Sequence, residues 1–126
     1  MLSSDHRMRR SEDFAAAFSG VRGNSRRLQV AIGENHAADE ITGPHPVRVG
    51  FAVSKKVGNS VVRHRLTRQL RHIVREKLGE LYDGECVVVR AFPAANGSTY
   101  AQLTADFDRA LHRARKQQTG QRTRRN

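Results

Sequence analysis

Eight cations lie between Ile41 and Arg75 with no Asp or Glu among them: Arg48, Lys55, Lys56, Arg63, Arg65, Arg68, Arg71 and Arg75. The chemistry open to such a set is anion recognition, because guanidinium forks and ammonium groups match phosphate oxygens. The run Lys55-Lys56-Val57-Gly58-Asn59-Ser60 sets two lysines just ahead of a helix that Asn59 or Ser60 caps. A helix start offers free N–H groups and the positive end of the dipole, so a phosphate binds there. A capped helix end with solvated lysines explains that feature taken alone. The continuation favours a nucleic acid, since His64, Arg65, Arg68, Arg71, His72 and Arg75 recur on one face for roughly four turns. The other face is a stripe of Val62, Leu66, Leu70, Ile73, Val74 and Leu78, with Arg63 nearer the stripe than the basic face.

Other chemistries find little support. Cys86 opens an apolar strand and reads as a small buried hydrophobe. The six histidines show no pairing with cysteine and no His-x-x-x-His spacing, so no protein metal site is expected. Asp106 and Asp108 are two apart on a helix and read as surface charges rather than an acid and base pair. Lys55–Ser60 lacks the glycine spacing of a Walker A loop. An enzyme with its own catalytic residues is hard to build from this chain.

The elements that must position the basic face follow from pattern. Ser11 precedes Glu12, Asp13, Phe14 and Phe18 in a short helix ended by Gly20, the two rings sharing a face. Those rings either pack the helix or offer surface to unstacked bases, and packing is the better reading of each. Leu28, Val30 and Ile32 alternate in one strand, and Val47, Val49, Phe51 and Val53 in another, whose second face carries Arg48, Gly50, Ala52 and Ser54. Phe51 is core or platform, and sequence does not decide between them. A Gly- and Pro-bearing loop over residues 35–46 joins these strands, and the basic helix runs to about Leu81. Cys86-Val87-Val88-Val89 reads as a strand covered on both faces, within 85–92. Ser98 or Thr99 caps a last helix with Leu103, Phe107, Ala110, Leu111 and Ala114 at helical spacing. Residues 1–115 form one domain, and 116–126 are expected to be a disordered basic tail.

With 126 residues the chain has room for one core. Its 23 Lys and Arg against 12 Asp and Glu give a net +11, which suits a polyanionic partner. No apolar run nears the ~20 residues of a spanning helix, the N-terminus has no secretory h-region, and one cysteine suits a reducing cytoplasm.

The stretch Ser54-Lys55-Lys56-Val57-Gly58-Asn59-Ser60-Val61-Val62-Arg63-His64-Arg65-Leu66 leading into Arg68 resembles the Ser-Lys-Lys-x-Gly-Asn-Ala-Val-x-Arg-Asn-Arg signature of the protein subunits of bacterial ribonuclease P. Arg9-Arg10-Ser11-Glu12-Asp13-Phe14 with Phe18 is similar to that family's opening, and Val47–Val53 enters the signature as its strand does. The resemblance covers about Met8 to Ala114. It implies an α+β fold, a small sandwich of α-β-β-β-α-β-α order with a left-handed βαβ crossover, similar to the second domain of a ribosomal protein. The extra short strand would lie near Gly23–Arg27 or be split from the first.

The resemblance also implies an activity: endonucleolytic removal of the 5′ leader of precursor tRNA, catalysed by an RNA subunit with Mg2+ held mainly by RNA. On that reading Lys55, Lys56, Asn59, Arg63, His64, Arg65, Arg68 and Arg71 contact the catalytic RNA. Phe14, Phe18, Arg26, Phe51 and Ser54 line the cleft for the leader. The partners implied are ribonuclease P RNA and precursor tRNA, with no membrane and no DNA. His64 replaces the family's usual Asn, and Leu28 and Ala31 stand where aromatics are common. A ribosomal or assembly protein that only binds RNA is the alternative, and a DNA-binding repressor is a weaker third because the helix has few groups for base edges.

Overall fold

The computed structural model describes residues 11–34 and 46–125, with backbone alone at 11–13 and 121–125. The elements run α1 (Ser11–Ser19), β1 (Val21–Asn24), β2 (Leu28–Glu34), β3 (Arg48–Ala52), α2 (Ser60–Glu76), β4 (Glu85–Ala91) and α3 (Tyr100–Arg125). This is the expected α+β order. The added strand is β1, slightly upstream of the span expected for it. Most of the connecting loop lies outside the described residues.

The four strands form one mixed sheet in the order β1-β2-β4-β3. β2 pairs antiparallel with β1 and β4, while β3 pairs parallel with β4, so α2 is the crossover of a βαβ unit. A central strand covered on both faces should be continuously apolar, and Cys86 to Val89 are all 0% exposed. Their alternation divides the core in two. Val87 and Val89 join Val30, Ile32, Val49, Leu66, Leu70, Ile73, Leu103 and Phe107 beneath α2 and α3. Cys86 and Val88 join Ala17 and Ala31 beneath α1, where Phe14, Phe18 and Ala52 pack at the margin.

Two glycines set the helix positions. A Cβ on Gly33 would sit 1.8 Å from the Ala16 carbonyl oxygen, so only glycine lets α1 lie this close to the sheet. At Gly23 a Cβ would meet the Ala110 carbonyl oxygen at 2.0 Å and the Ala114 nitrogen at 2.4 Å, where α3 crosses β1. At the start of α3 the Thr99 hydroxyl accepts the Gln102 N–H at 3.1 Å and Gln102 Oε1 accepts the Thr99 N–H at 2.9 Å, a reciprocal cap. Next to it, desolvation, then the charge of Glu76 and a hydrogen bond to it, hold the Tyr100 phenol above the usual tyrosine range.

Three expectations need correction. α2 ends at Glu76 rather than near Leu81: the Lys77 N–H is shared between the Ile73 and Val74 carbonyls, and the chain tightens into a 3-10 turn at Leu78–Glu80. The residues expected as a disordered tail continue α3 as far as Arg125. Arg, Lys and Gln are good helix formers, and the side-chain oxygens of Gln117 and Gln118 take the Arg22 N–H at 3.4 Å and an Arg115 N–H at 2.9 Å. Asp106, expected at the surface, is 2% exposed. It falls on the same helix side as Leu103 and Phe107, and accepts the Arg27 N–H at 2.8 Å and the Arg27 guanidinium at 3.4 Å. Among the described residues no helix is long and apolar enough to cross a membrane.

Candidate nucleic-acid interface

β3 ends where the basic segment begins. Ser54, Lys55 and Lys56 are exposed, and the Val57 N–H closes the turn onto the Ser54 carbonyl at 3.1 Å, with Val57 itself buried. Asn59 is the N-cap, its backbone extended and its Oδ1 accepting the Val62 N–H at 3.0 Å. The Arg63 N–H bonds the Asn59 carbonyl at 2.9 Å. No acidic residue occupies the first turn, so nothing offsets the dipole end that the two lysines flank.

Along α2 the amphipathic reading holds: Leu66, Leu70, Ile73 and Val74 are buried, Val62 and Leu78 half-buried, and His64, Arg65, Arg68, His72 and Arg75 exposed. A surface hollow of about 380 Å³ is lined by His64, Thr67, Arg68, Arg71 and His72. Arg63 is half-buried rather than bent out from the helix, and its Nε is buried with no hydrogen-bond partner. Among the described residues, no carboxylate forms an ion pair with Lys55, Lys56, Arg63, Arg65, Arg68, Arg71 or Arg75. The face therefore keeps its full charge.

The residues expected to line a cleft divide between the two sheet faces. Phe14 and Phe18 sit half-buried on the α1 face beside Ala52. Phe51 projects to the α2 face, where it packs on the main core and lies 5.9 Å from the Arg71 guanidinium. Strand alternation is the cause, since Phe51 shares the side of Val47, Val49 and Val53. Phe51 and the two α1 rings thus lie on opposite faces of the sheet. Ser54 is exposed just beyond Ala52, and Arg26 is exposed at the tip of the β1–β2 hairpin, which Ser25 closes against Leu28.

Residues missed from sequence complete the α1 face. Asn24 pairs with Gln29, Gln29 with Arg90, and Arg90 with Ala52, in one row across all four strands. α1 packs on β2 and β4, and its close approach at Gly33 lies toward the opposite end of β2 from this row. Arg22 stands 5.3 Å from the Phe18 ring and donates to the Phe18 carbonyl at 3.0 Å. Alternation already put Arg48, Gly50, Ala52 and Ser54 on one face, but the neighbours from β2 and β4 become visible only with the strand order. Among the described residues no group of three or more His, Cys, Asp or Glu could hold a metal ion.

Comparison with known proteins places this arrangement in a family. The Ribonuclease P family profile matches residues 2–115. The ribonuclease P protein component of Streptomyces griseus is 45% identical over 120 residues, covering 90% of this chain and 94% of that one. That of Thermobifida fusca is 46% identical over 113 residues, covering 88% and 77%. Among solved structures, the Staphylococcus aureus RNase P protein superimposes with a TM-score of 0.68 at 25% identity over 85% of this chain and 93% of that one. The Thermotoga maritima RNase P protein shares the fold at a TM-score of 0.64, 23% identity and 80% and 90% coverage. Profile, relatives and fold agree with the signature at 54–68, and the chain belongs to the ribonuclease P protein family.

Proposed function

We propose that this chain is the protein subunit of a cytoplasmic ribonuclease P holoenzyme, an endoribonuclease that frees the mature 5′ end of tRNA and in which the RNA subunit is the catalyst. The observation that carries the reading is the uncompensated basic face of α2, continuous with a lysine-flanked helix start, in a chain of this family. Lys55, Lys56 and the first N–H groups of α2 hold a phosphate of the catalytic RNA. His64, Arg65, Arg68 and Arg71 follow the backbone along the helix, with Asn59 fixing the helix start and Arg63 in the turn that follows it.

The 5′ leader of precursor tRNA lies on the α1 face, against Phe14, Phe18 and Ala52, with Ser54, Arg90 and Arg26 at the open end. Half-buried rings flanked by cations suit unstacked nucleotides. Phe51 supports Arg71 from below and takes no part in the leader cleft. Magnesium supplies the metal chemistry of cleavage when RNA and substrate are assembled. In this reading the ion is held mainly by oxygens of the RNA subunit and the substrate. The protein's contribution is to bind and orient two RNAs.

The reading is tested by assembling the protein with a bacterial ribonuclease P RNA and comparing leader-bearing with leaderless tRNA. Tighter binding of the leader-bearing form, dependent on the protein, is expected. Equal affinity for both would leave a protein that binds RNA without handling the leader.

A further inference from the structure

The C-terminal half of α3 is as basic as α2 and lies at the other edge of the sheet. From Arg109 to Arg125 it carries Arg109, Arg113, Arg115, Lys116, Arg122, Arg124 and Arg125 and no Asp or Glu. Among the described side chains of this segment, Arg115 is neutralised, by the buried Glu85. Among the described residues no carboxylate forms an ion pair with Arg22, Arg109, Arg113 or Lys116, and the nearby Asp106 is occupied by Arg27.

The fold anchors this segment as far as Gln117. α3 lies over β1 and β2, and crosses β1 where Gly23 admits Ala110 and Ala114. Arg113 donates to the Asn24 carbonyl and Gln117 accepts the Arg22 N–H, so α3 side chains cap the outer edge of β1. Gln117 meets Arg22, next to the first residue of β1, so the helix beyond it runs past the end of the strand. Arg109 to Arg125 spans about 24 Å of helix at 1.5 Å per residue.

We propose that this half of α3, with Arg22 beside it, is a second RNA-binding surface that takes the phosphate backbone of an RNA duplex, independent of sequence. The charge selects a polyanion. Double-stranded backbone is favoured because no aromatic residue occurs between Arg109 and Arg125, and the neighbouring Phe18 ring is covered by Arg22. α2 joins β3 to β4 toward the opposite edge of the same sheet, so the two surfaces engage different RNA segments. The inference rests on the reading of RNA as the partner of α2, and extends it to a second, separate contact.

The test uses the full chain, a blunt 20-base-pair RNA duplex of arbitrary sequence, and a salt series. The double variant R109E/K116E spares Arg113 and Gln117, which hold the helix in place, and circular dichroism checks its fold. We expect at least a tenfold loss of duplex affinity and a salt slope shallower by about 2, with R109K/K116R close to wild type. On ribonuclease P RNA, a hydroxyl-radical probe tethered at Lys116→Cys should cut nucleotides different from those cut by a probe at His72→Cys. Unchanged affinity and slope in R109E/K116E, or the same nucleotides cut from both positions, would overturn the proposal. So would a loss confined to binding of phosphatidylserine vesicles. Low-magnesium cleavage by R65E/R68E reads the α2 assignment separately: its loss beside an inert α3 surface leaves the proposed function standing and removes only this inference.

Discussion

The Arg71 guanidinium lies 5.9 Å from the centre of the Phe51 ring, on the side of the sheet that α2 covers. This contact couples the strand entering the signature to the third turn of the basic helix. A ring face is a favourable neighbour for a cation, and here it also orients a half-buried arginine toward the hollow shared with Arg68 and His72.

Replacing Phe51 by Ala should therefore weaken binding of the catalytic RNA and leave the leader increment unchanged. It should also cost about 2 kcal/mol of stability, below the roughly 3–5 of a fully buried phenylalanine. Urea denaturation gives the second number, and paired leader-bearing and leaderless substrates give the first.

On the proposed function Arg65→Ala and Arg68→Ala remove phosphate contacts without disturbing the core, since both residues are exposed. Each should weaken binding of ribonuclease P RNA and reduce the slope of log K against log salt by about 1. A slope equal to wild type in both would move the RNA off this face.

Phe18→Ala separates packing from recognition. The ring is half-buried at the edge of the small core under α1 and lies against Arg22. Selective loss of affinity for leader-bearing substrate, at a melting temperature within a few degrees of wild type, is expected. A fall in melting temperature with the leader preference intact would make it a core residue.

The Asp106 carboxylate ties α3 to the β1–β2 hairpin through the Arg27 N–H and guanidinium. Removing one partner of a buried pair leaves the other desolvated, so Asp106→Ala should cost about 3 kcal/mol in urea denaturation. Asp106→Asn, which still accepts the N–H, should cost less. Equal effects would mean that the charge, not the hydrogen bond, holds the hairpin.

The sequence reading recovered what periodicity encodes. The stripe on α2, the doubly buried Cys86–Val89 and the buried set on α3 all follow from spacing within one element. The cap of α3 was legible only as Ser98 or Thr99, and the structure selects Thr99, whose hydroxyl accepts the Gln102 N–H. What depends on pairing between distant segments was not legible. Phe51 was correctly grouped with Val47 and Val49, yet which face those residues join is fixed by where α1 and α2 pack. The row Asn24, Gln29, Arg90 and Ala52 exists only because β4 inserts between β2 and β3. Asp106 misled because its partner is 79 residues away in sequence, and the end of α3 misled because polar composition alone does not show that Gln117 docks on β1.

The most direct measurement is cleavage of a labelled precursor tRNA by bacterial ribonuclease P RNA at low magnesium, with and without this protein. The account predicts that the protein restores release of the 5′ leader under conditions where the RNA alone is nearly inactive, and that R65A/R68A restores much less. Tight RNA binding with cleavage unchanged, across magnesium concentrations and partner RNAs, would contradict it and leave a protein that only binds RNA.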